Sequence, residues 1–387
     1  MIQLGITHLL TEKNDWLNGK SIGLLTNHTG VDENLIHTIE LLRDFNLVSL
    51  FSPEHGLWGA VQDGVEILDS KYDESEDGNA ENQPLQIYSL YGTKRFAWGN
   101  AVQDIDVLIY DIQDVGVRYY TYLGTLFETM TALEWSTKDK YVECIIADRP
   151  NPIGGIHIEG PMLESDYTSL VGPYSLPVRY GMTIGEAARL FHAEQGFKFP
   201  LKVARMDGWS RGDWYNETGL HWVLPSPNMP TLETATLYPG TCLFEGTNVS
   251  EGRGTTKPFE YIGAPWINKE KLAKRLNEKQ FPGVCFRPIV FTPQFSKFQG
   301  EVCHGVAIHI NDQEQVASVE IAVWMLCLLM EEHADRLEFK ETHFDRLAGS
   351  SFLREELMAG LSCEGIIESW DNGIEQFRER REPYLLY

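Results

Sequence analysis

The chain has 387 residues, 43% apolar and 23% charged, a balance that suits a folded globular protein rather than a disordered one. Its 56 acidic residues outnumber 32 basic ones, and a formal charge of −24 repels phosphate backbones and anionic bilayers, so neither nucleic acid nor membrane is an expected partner. The longest apolar run, Ile321 to Met330, is too short to span a bilayer and reads as a buried helix near the C-terminus.

At the N-terminus, Met1-Ile2-Gln3-Leu4 lacks the basic segment and long apolar run of a signal peptide. A cytoplasmic protein is expected, or a secreted one whose leader has been removed. Ser21 to Thr26 then reads as a buried strand, Leu35, Ile39 and Leu42 follow at helical spacing, and Leu47 to Phe51 reads as a second strand. This is a βαβ unit with a right-handed crossover. Asp69 to Gln83 is acidic and of low complexity, which suits a solvated surface loop. Val107 to Tyr110 is a third strand, Leu123, Leu126, Phe127 and Met130 mark a helix, and Glu143 to Ala147 is a fourth strand. Strands alternating with helices predict an α/β fold with a parallel sheet covered on both faces. Past Leu201, Pro, Gly, Trp and Asn become frequent, as in Pro225 to Pro230 and Gly252 to Gly254, and long ordered loops of this kind carry function. From about Leu272, helices and a strand at Val306 to Ile310 predict a smaller α+β unit, which places the domains at 1–200 and 201–387.

The strand ends carry the chemistry. The first strand runs into Asn27 and His28, the second into Pro53-Glu54-His55-Gly56, the third into Asp111, Gln113 and Asp114, and the fourth into Asp148 and Arg149. Ligands of open parallel sheets bind beyond the carboxyl ends of the strands. Four polar strand ends therefore predict a site along one edge. Glu54 sits between a stiff Pro and a His-Gly turn, and a carboxyl partly buried there suits general acid catalysis. Glycoside cleavage needs such an acid and a second group to stabilise or attack the sugar cation, for which Asp111, Asp114, Glu245 and Glu251 are candidates. Tyr119, Tyr122, Trp209, Trp214 and Trp222 are available to stack on sugar rings.

Other chemistries fit less well. Gly208 to Gly212 matches the G-x-S-x-G pattern, but no helical face follows Ser210, so a nucleophile elbow is not expected. The glycine-rich run Glu245 to Lys257 ends in Lys-Pro and lacks the G-K-[ST] of a phosphate loop, so no nucleotide cofactor is expected. Asp111 and Asp114 with His28 and His55 could in principle hold a divalent ion, yet nothing like H-E-x-x-H appears, and no metal is expected. The six cysteines show no C-x-x-C pair, and most sit in apolar stretches as small core thiols, which fits a reducing compartment.

Long ordered motifs add a family resemblance that covers nearly the whole chain. Phe51-Ser-Pro-Glu-His-Gly56, Tyr88-Ser-Leu-Tyr-Gly92, Asp111 to Tyr122, Asp148 to Gly155, Glu159-Gly-Pro161, Pro225 to Thr231 and Glu245 to Thr256 together resemble the bacterial exo-β-N-acetylmuramidases of the NamZ type, formerly a domain of unknown function. The resemblance implies release of terminal N-acetylmuramic acid (MurNAc) from the non-reducing end of peptidoglycan fragments, in cell-wall turnover. It also implies a Rossmann-like N-terminal domain, a smaller C-terminal domain and a site in the cleft between them. Glu54 maps onto the family's catalytic glutamate, with His55 beside it. Side chains on these loops expected to contact substrate are Asn27, His28, Asp111, Asp114, Arg118, Tyr119, Arg149, Asn151, Asn228, Glu245, Asn248, Glu251 and Arg253. Arg118, Arg149 and Arg253 are natural partners for the lactyl carboxylate of muramic acid. Where the family often has histidine this chain has Tyr180, to which no catalytic role is assigned. The competing readings are a sugar-binding protein that has lost the chemistry and a metal-dependent hydrolase of another substrate.

Overall fold

The computed structural model describes residues 2–62, 64–72, 84–92, 101–136 and 141–387. Ile22–Thr26 (β1), Leu47–Ser52 (β2), Ser70–Tyr72 (β3), Leu85–Ser89 (β4), Val107–Asp111 (β5), Glu143–Ala147 (β6) and Leu201–Ala204 (β7) build one seven-stranded sheet in the order β3-β4-β2-β1-β5-β6-β7. Neighbours are parallel except for the edge pair β3 and β4. Every residue of β1 and β5 is buried, because a central parallel strand has helices over both faces and no wet side. Their register sets Thr26 opposite Asp111, which brings the two carboxyl ends level.

The differences from expectation have local causes. The helix expected from Leu35 shrinks to Thr38–Leu41 (α2, after α1 at Gly5–Glu12). Asp32 Oδ1 accepts the backbone N–H groups of Asn34 and Ile36 at 2.9 and 2.8 Å, a turn that competes with the helix. Part of the acidic segment forms the edge strand β3, and residues 73–83 of it lie outside the described residues. β7 lies past the boundary expected at residue 200 and still pairs with β6. Thr121–Ser136 (α3) follows β5, and Ile184–Gln195 (α4) opens on a capping box of Thr183 and Glu186 and closes on left-handed Gly196.

The C-terminal part holds Leu232–Thr241 (α5), Tyr261–Ala264 (β8), Lys269–Glu278 (α6), Val284–Phe291 (β9), Cys303–Ile310 (β10) and Ser318–His333 (α7). It closes with the helices Glu341–Ala348 (α8), Phe352–Met358 (α9), Cys363–Glu368 (α10) and Asp371–Arg381 (α11). β8, β10 and β9 form a small antiparallel sheet, and β10 contains the strand expected at Val306 to Ile310. The apolar run at Ile321 is the buried face of α7. Two of the six cysteines depart from expectation: Cys327 and Cys363, with Cα atoms 6.4 Å apart, are joined as a disulfide between α7 and α10. The cysteines therefore no longer argue for a reducing compartment. No described helix is long and apolar enough to cross a membrane.

The two parts share one apolar core rather than meeting through a linker, with Tyr122 and Leu126 of α3 in the same cluster as Leu237, Phe244 and Met325. Arg118, fully buried ahead of α3, ties them together. It donates to the carbonyls of Pro161 (2.8 Å), Leu176 (2.7 Å) and, on α8, Leu347 (2.7 Å). Arg118→Ala strips three buried carbonyls of their donor and is expected to cost about 3–5 kcal/mol, measurable as a lower urea midpoint; Arg118→Lys should recover part of that loss.

Candidate active site

Beyond the carboxyl end of β2 lies a cavity of ≈ 220 Å³ whose wall comes from both parts of the chain. Glu54, His55 and Gly64 enter from the segment after β2, and Tyr119, Tyr120 and Thr121 from the start of α3. Ser226, Asn228 and Met229 come from the proline-rich loop, while Tyr238, Cys242, Glu245, Arg253, Phe259 and Leu347 close the far side.

Glu54 is buried, yet it meets only neutral donors among the described residues. Its Oε2 accepts the Thr121 hydroxyl at 2.7 Å and its Oε1 the Gly64 N–H at 3.1 Å. His55 adopts φ of +71°, a left-handed conformation that strains a residue with a Cβ and turns its ring into the wall beside Glu54. The ring's Nδ1 lies 2.8 Å from the Val61 carbonyl. A carbonyl can only accept, so Nδ1 carries the proton, and in the neutral ring Nε2 is left as an acceptor.

The second acid of the cavity is held differently. Glu245 stands on the turn Cys242–Gly246, with Oε1 2.5 Å from Arg253 Nη1 and Oε2 3.5 Å from His343 Nε2. Burial alone would raise its carboxyl, but the charge of Arg253 and the hydrogen bond from His343 outweigh it and bring the pKa down to about 2. The cavity thus pairs an acid with neutral partners and an acid locked in its ionised form. Tyr119, whose hydroxyl donates to the Pro239 carbonyl, stands edge-on to Tyr238 at 5.5 Å, and both rings line the cavity.

Of the residues expected from sequence, Glu54, His55, Tyr119, Asn228, Glu245 and Arg253 line this cavity, and the others are committed elsewhere. Asp111 is completely buried against Arg149, with Nε to Oδ1 at 2.6 Å, and also accepts from Thr38; Arg149 further donates to the Val31 carbonyl at 2.8 Å. Asn27 accepts from Thr29 and donates to the Tyr122 hydroxyl at 2.8 Å. His28 holds the Leu224 carbonyl at 2.6 Å, and burial together with nearby His55 lowers its pKa. Asp114 accepts the Tyr180 hydroxyl and the Gly116 N–H, each at 2.7 Å, and burial pushes its pKa up to about 6. Arg118 is the buried clamp described above. Asn151 binds the Met182 carbonyl, Asn248 clasps Arg336 and Glu338, and Glu251 takes the half-buried Lys297 ammonium at 2.8 Å. Asp111, Asp114, His28 and His55 do not converge, and no group of metal-ligating side chains gathers among the described residues.

The tryptophans also serve packing. Trp209 meets Tyr387, Trp214 lies under the Arg179 guanidinium, and Trp222 stands against Tyr215. Tyr122 donates to the Pro225 carbonyl. Ser210 is exposed in a turn, and the nearest following helical element is the single turn Tyr215–Glu217. The residues that sequence reasoning missed are Thr121, Tyr120, Ser226, Tyr238 and Phe259. The first three stood inside quoted motifs, whereas Tyr238 and Phe259 gave no signal, because an inward-facing aromatic on a helix or turn looks like core.

Comparison with known proteins finds relatives along the whole chain. Residues 22–233 match the N-terminal domain model of the exo-β-N-acetylmuramidase NamZ, and residues 236–387 match its C-terminal domain model. The chain belongs to the NamZ family. It is 43% identical over 390 aligned positions to the peptidoglycan β-N-acetylmuramidase NamZ of Bacillus subtilis (strain 168), covering 100% of this chain and 91% of that protein. Two solved DUF1343 family proteins from Bacteroides fragilis NCTC 9343 share the NamZ fold seen here. One has a TM-score of 0.89 at 36% identity and the other 0.76 at 29%, each covering 100% of this chain and 99% of the solved chain.

Two predictions follow from the strain and the buried acid at this NamZ edge. Because His55 sits at positive φ, His55→Gly should be more stable than His55→Ala by about 1 kcal/mol, read from paired chemical melts, although both lose the ring. Asp114 carries a folded pKa raised above its unfolded value. The stability it contributes is therefore full below about pH 4 and is lost as pH rises through about 6. Stability measured from pH 4 to 7 should fall for wild type relative to Asp114→Asn by about 3 kcal/mol at most.

Proposed function

We propose that this chain is an exo-acting glycosidase that releases terminal β-linked MurNAc from the non-reducing end of peptidoglycan fragments, with Glu54 as general acid. Family membership and the named activity of the B. subtilis relative support the reaction class. The observation that carries the residue assignment is the contrast between the two acids. Glu54 meets a hydroxyl and an amide and no cation among the described residues, whereas Glu245 is ion-paired with Arg253 and stays charged. Cleavage needs a proton delivered to the leaving oxygen, and that is the role assigned to Glu54 in this reading. The Thr121 hydroxyl orients the Glu54 carboxyl, and His55 Nε2 stands beside it as an acceptor for a sugar hydroxyl or for water.

With a chromogenic β-MurNAc substrate, Glu54→Gln should lower kcat by about 10²- to 10⁴-fold with little change in KM. Near wild-type turnover in that variant would remove Glu54 from the acid role. Wild-type protein inert on β-MurNAc and on MurNAc-GlcNAc would overturn the proposal itself.

A further inference from the structure

The two ends of the cavity come from opposite parts of the chain, Glu54 from the parallel sheet and Arg253 from the glycine-rich loop ahead of β8. Of the three motif arginines, Arg118 is bound to three backbone carbonyls and Arg149 to Asp111, so neither reaches the cavity. Among the described residues that line it, Arg253 is the one guanidinium, and no lysine joins it.

Arg253 is also fixed in place. Its guanidinium carbon stands 4.9 Å from the centroid of the Phe259 ring, and Glu245 and Glu251 both approach the same nitrogen, Nη1, at 2.5 and 3.5 Å. Each acid has a second partner, Lys297 for Glu251 and His343 for Glu245, so the pair positions the arginine without cancelling its charge alone. Gly254 has φ of +80°, and a Cβ there would stand 2.4 Å from the Phe295 carbonyl, so the loop that presents the arginine is held close to its neighbour.

We infer that Arg253 is the subsite for an anionic substituent on the sugar ring that Glu54 cleaves, and that it selects a 3-O-lactyl sugar over plain N-acetylglucosamine (GlcNAc). This rests on the proposed glycosidase reading. A planar guanidinium matches a carboxylate in two-point geometry, and a sugar without the lactyl group offers it no such partner. Glu245 acts here as a positioning residue, since it reaches the substrate's carboxylate through Arg253.

The test compares chromogenic β-MurNAc and β-GlcNAc on wild type, Arg253→Gln and Arg253→Lys, with melting temperatures recorded for each. The ratio of kcat/KM between the two sugars should fall by about 100-fold in Arg253→Gln, with the larger part in KM for β-MurNAc. Arg253→Lys, which keeps the charge but not the fork, should fall between. Equal losses on both sugars, or an unchanged ratio, would overturn the assignment and leave Arg253 a structural ion-pair partner. Calorimetric binding of free MurNAc and GlcNAc reads the same preference without turnover. A wild type that binds MurNAc but cleaves nothing sinks the glycosidase reading, while the loss of preference in Arg253→Gln still decides the subsite.

Discussion

The cavity depends on two adjacent side chains that reach from the parallel sheet into the C-terminal part. Arg118 donates to the carbonyl of Leu347 on α8, and Tyr119 donates to that of Pro239 in the last turn of α5. A helix end leaves its last carbonyls without partners, and Tyr119 supplies a donor at that place. A buried guanidinium with no carboxylate partner among the described residues is costly enough that burial draws the Arg118 pKa down to about 10. Its three carbonyl acceptors must therefore sit in the fork geometry together, which holds Leu347 of the C-terminal part against Pro161 and Leu176. Glu54 and Glu245 line one cavity from the two parts that this clamp joins.

Much of the edge was legible in the sequence. Buried strands end where their apolar runs end, so Asn27, Glu54, Asp111 and Asp148 could be placed on one side of a parallel sheet before any coordinates, and the register of Thr26 with Asp111 agrees. What could not be read was the direction in which each polar group spends its hydrogen bonds. Asp111 turns sideways to Thr38 and Arg149, and Asp148 to Thr183, Gly185 and Tyr387. Those partners lie tens to hundreds of residues away in the chain, and periodicity carries no information about them. Residue type revealed the chemistry, and the long-range partner decided whether it was structural.

The same limit explains the far wall. The glycine-rich run was recognisable as a loop with recognition chemistry, but its two acids and its arginine looked equivalent. Lys297, with no motif of its own, separates them. Its half-buried ammonium donates to the carbonyls of Phe244 and Val249 and to Glu251, which removes Glu251 from the cavity and leaves Glu245 and Arg253 on its surface.

An open parallel sheet offers its usual binding crevice where the strand order reverses, here between β1 and β5. In this chain that crevice is closed. Asp111 and Arg149 fill it as a buried ion pair, Thr26 and Thr38 bond into them, and the hollow left beside Arg149 and Gln113 is ≈ 10 Å³, room for about one water. Closing it moves the site one strand over, to the end of β2, where the start of α3 provides Thr121 for Glu54. There α5, α8 and the glycine-rich loop supply Tyr238, Leu347 and Arg253 to the wall of the cavity. The acid and the cation consequently come from different parts of the chain. A sugar bound as proposed would bridge them, which would make the packing of the two parts a component of the site rather than its support.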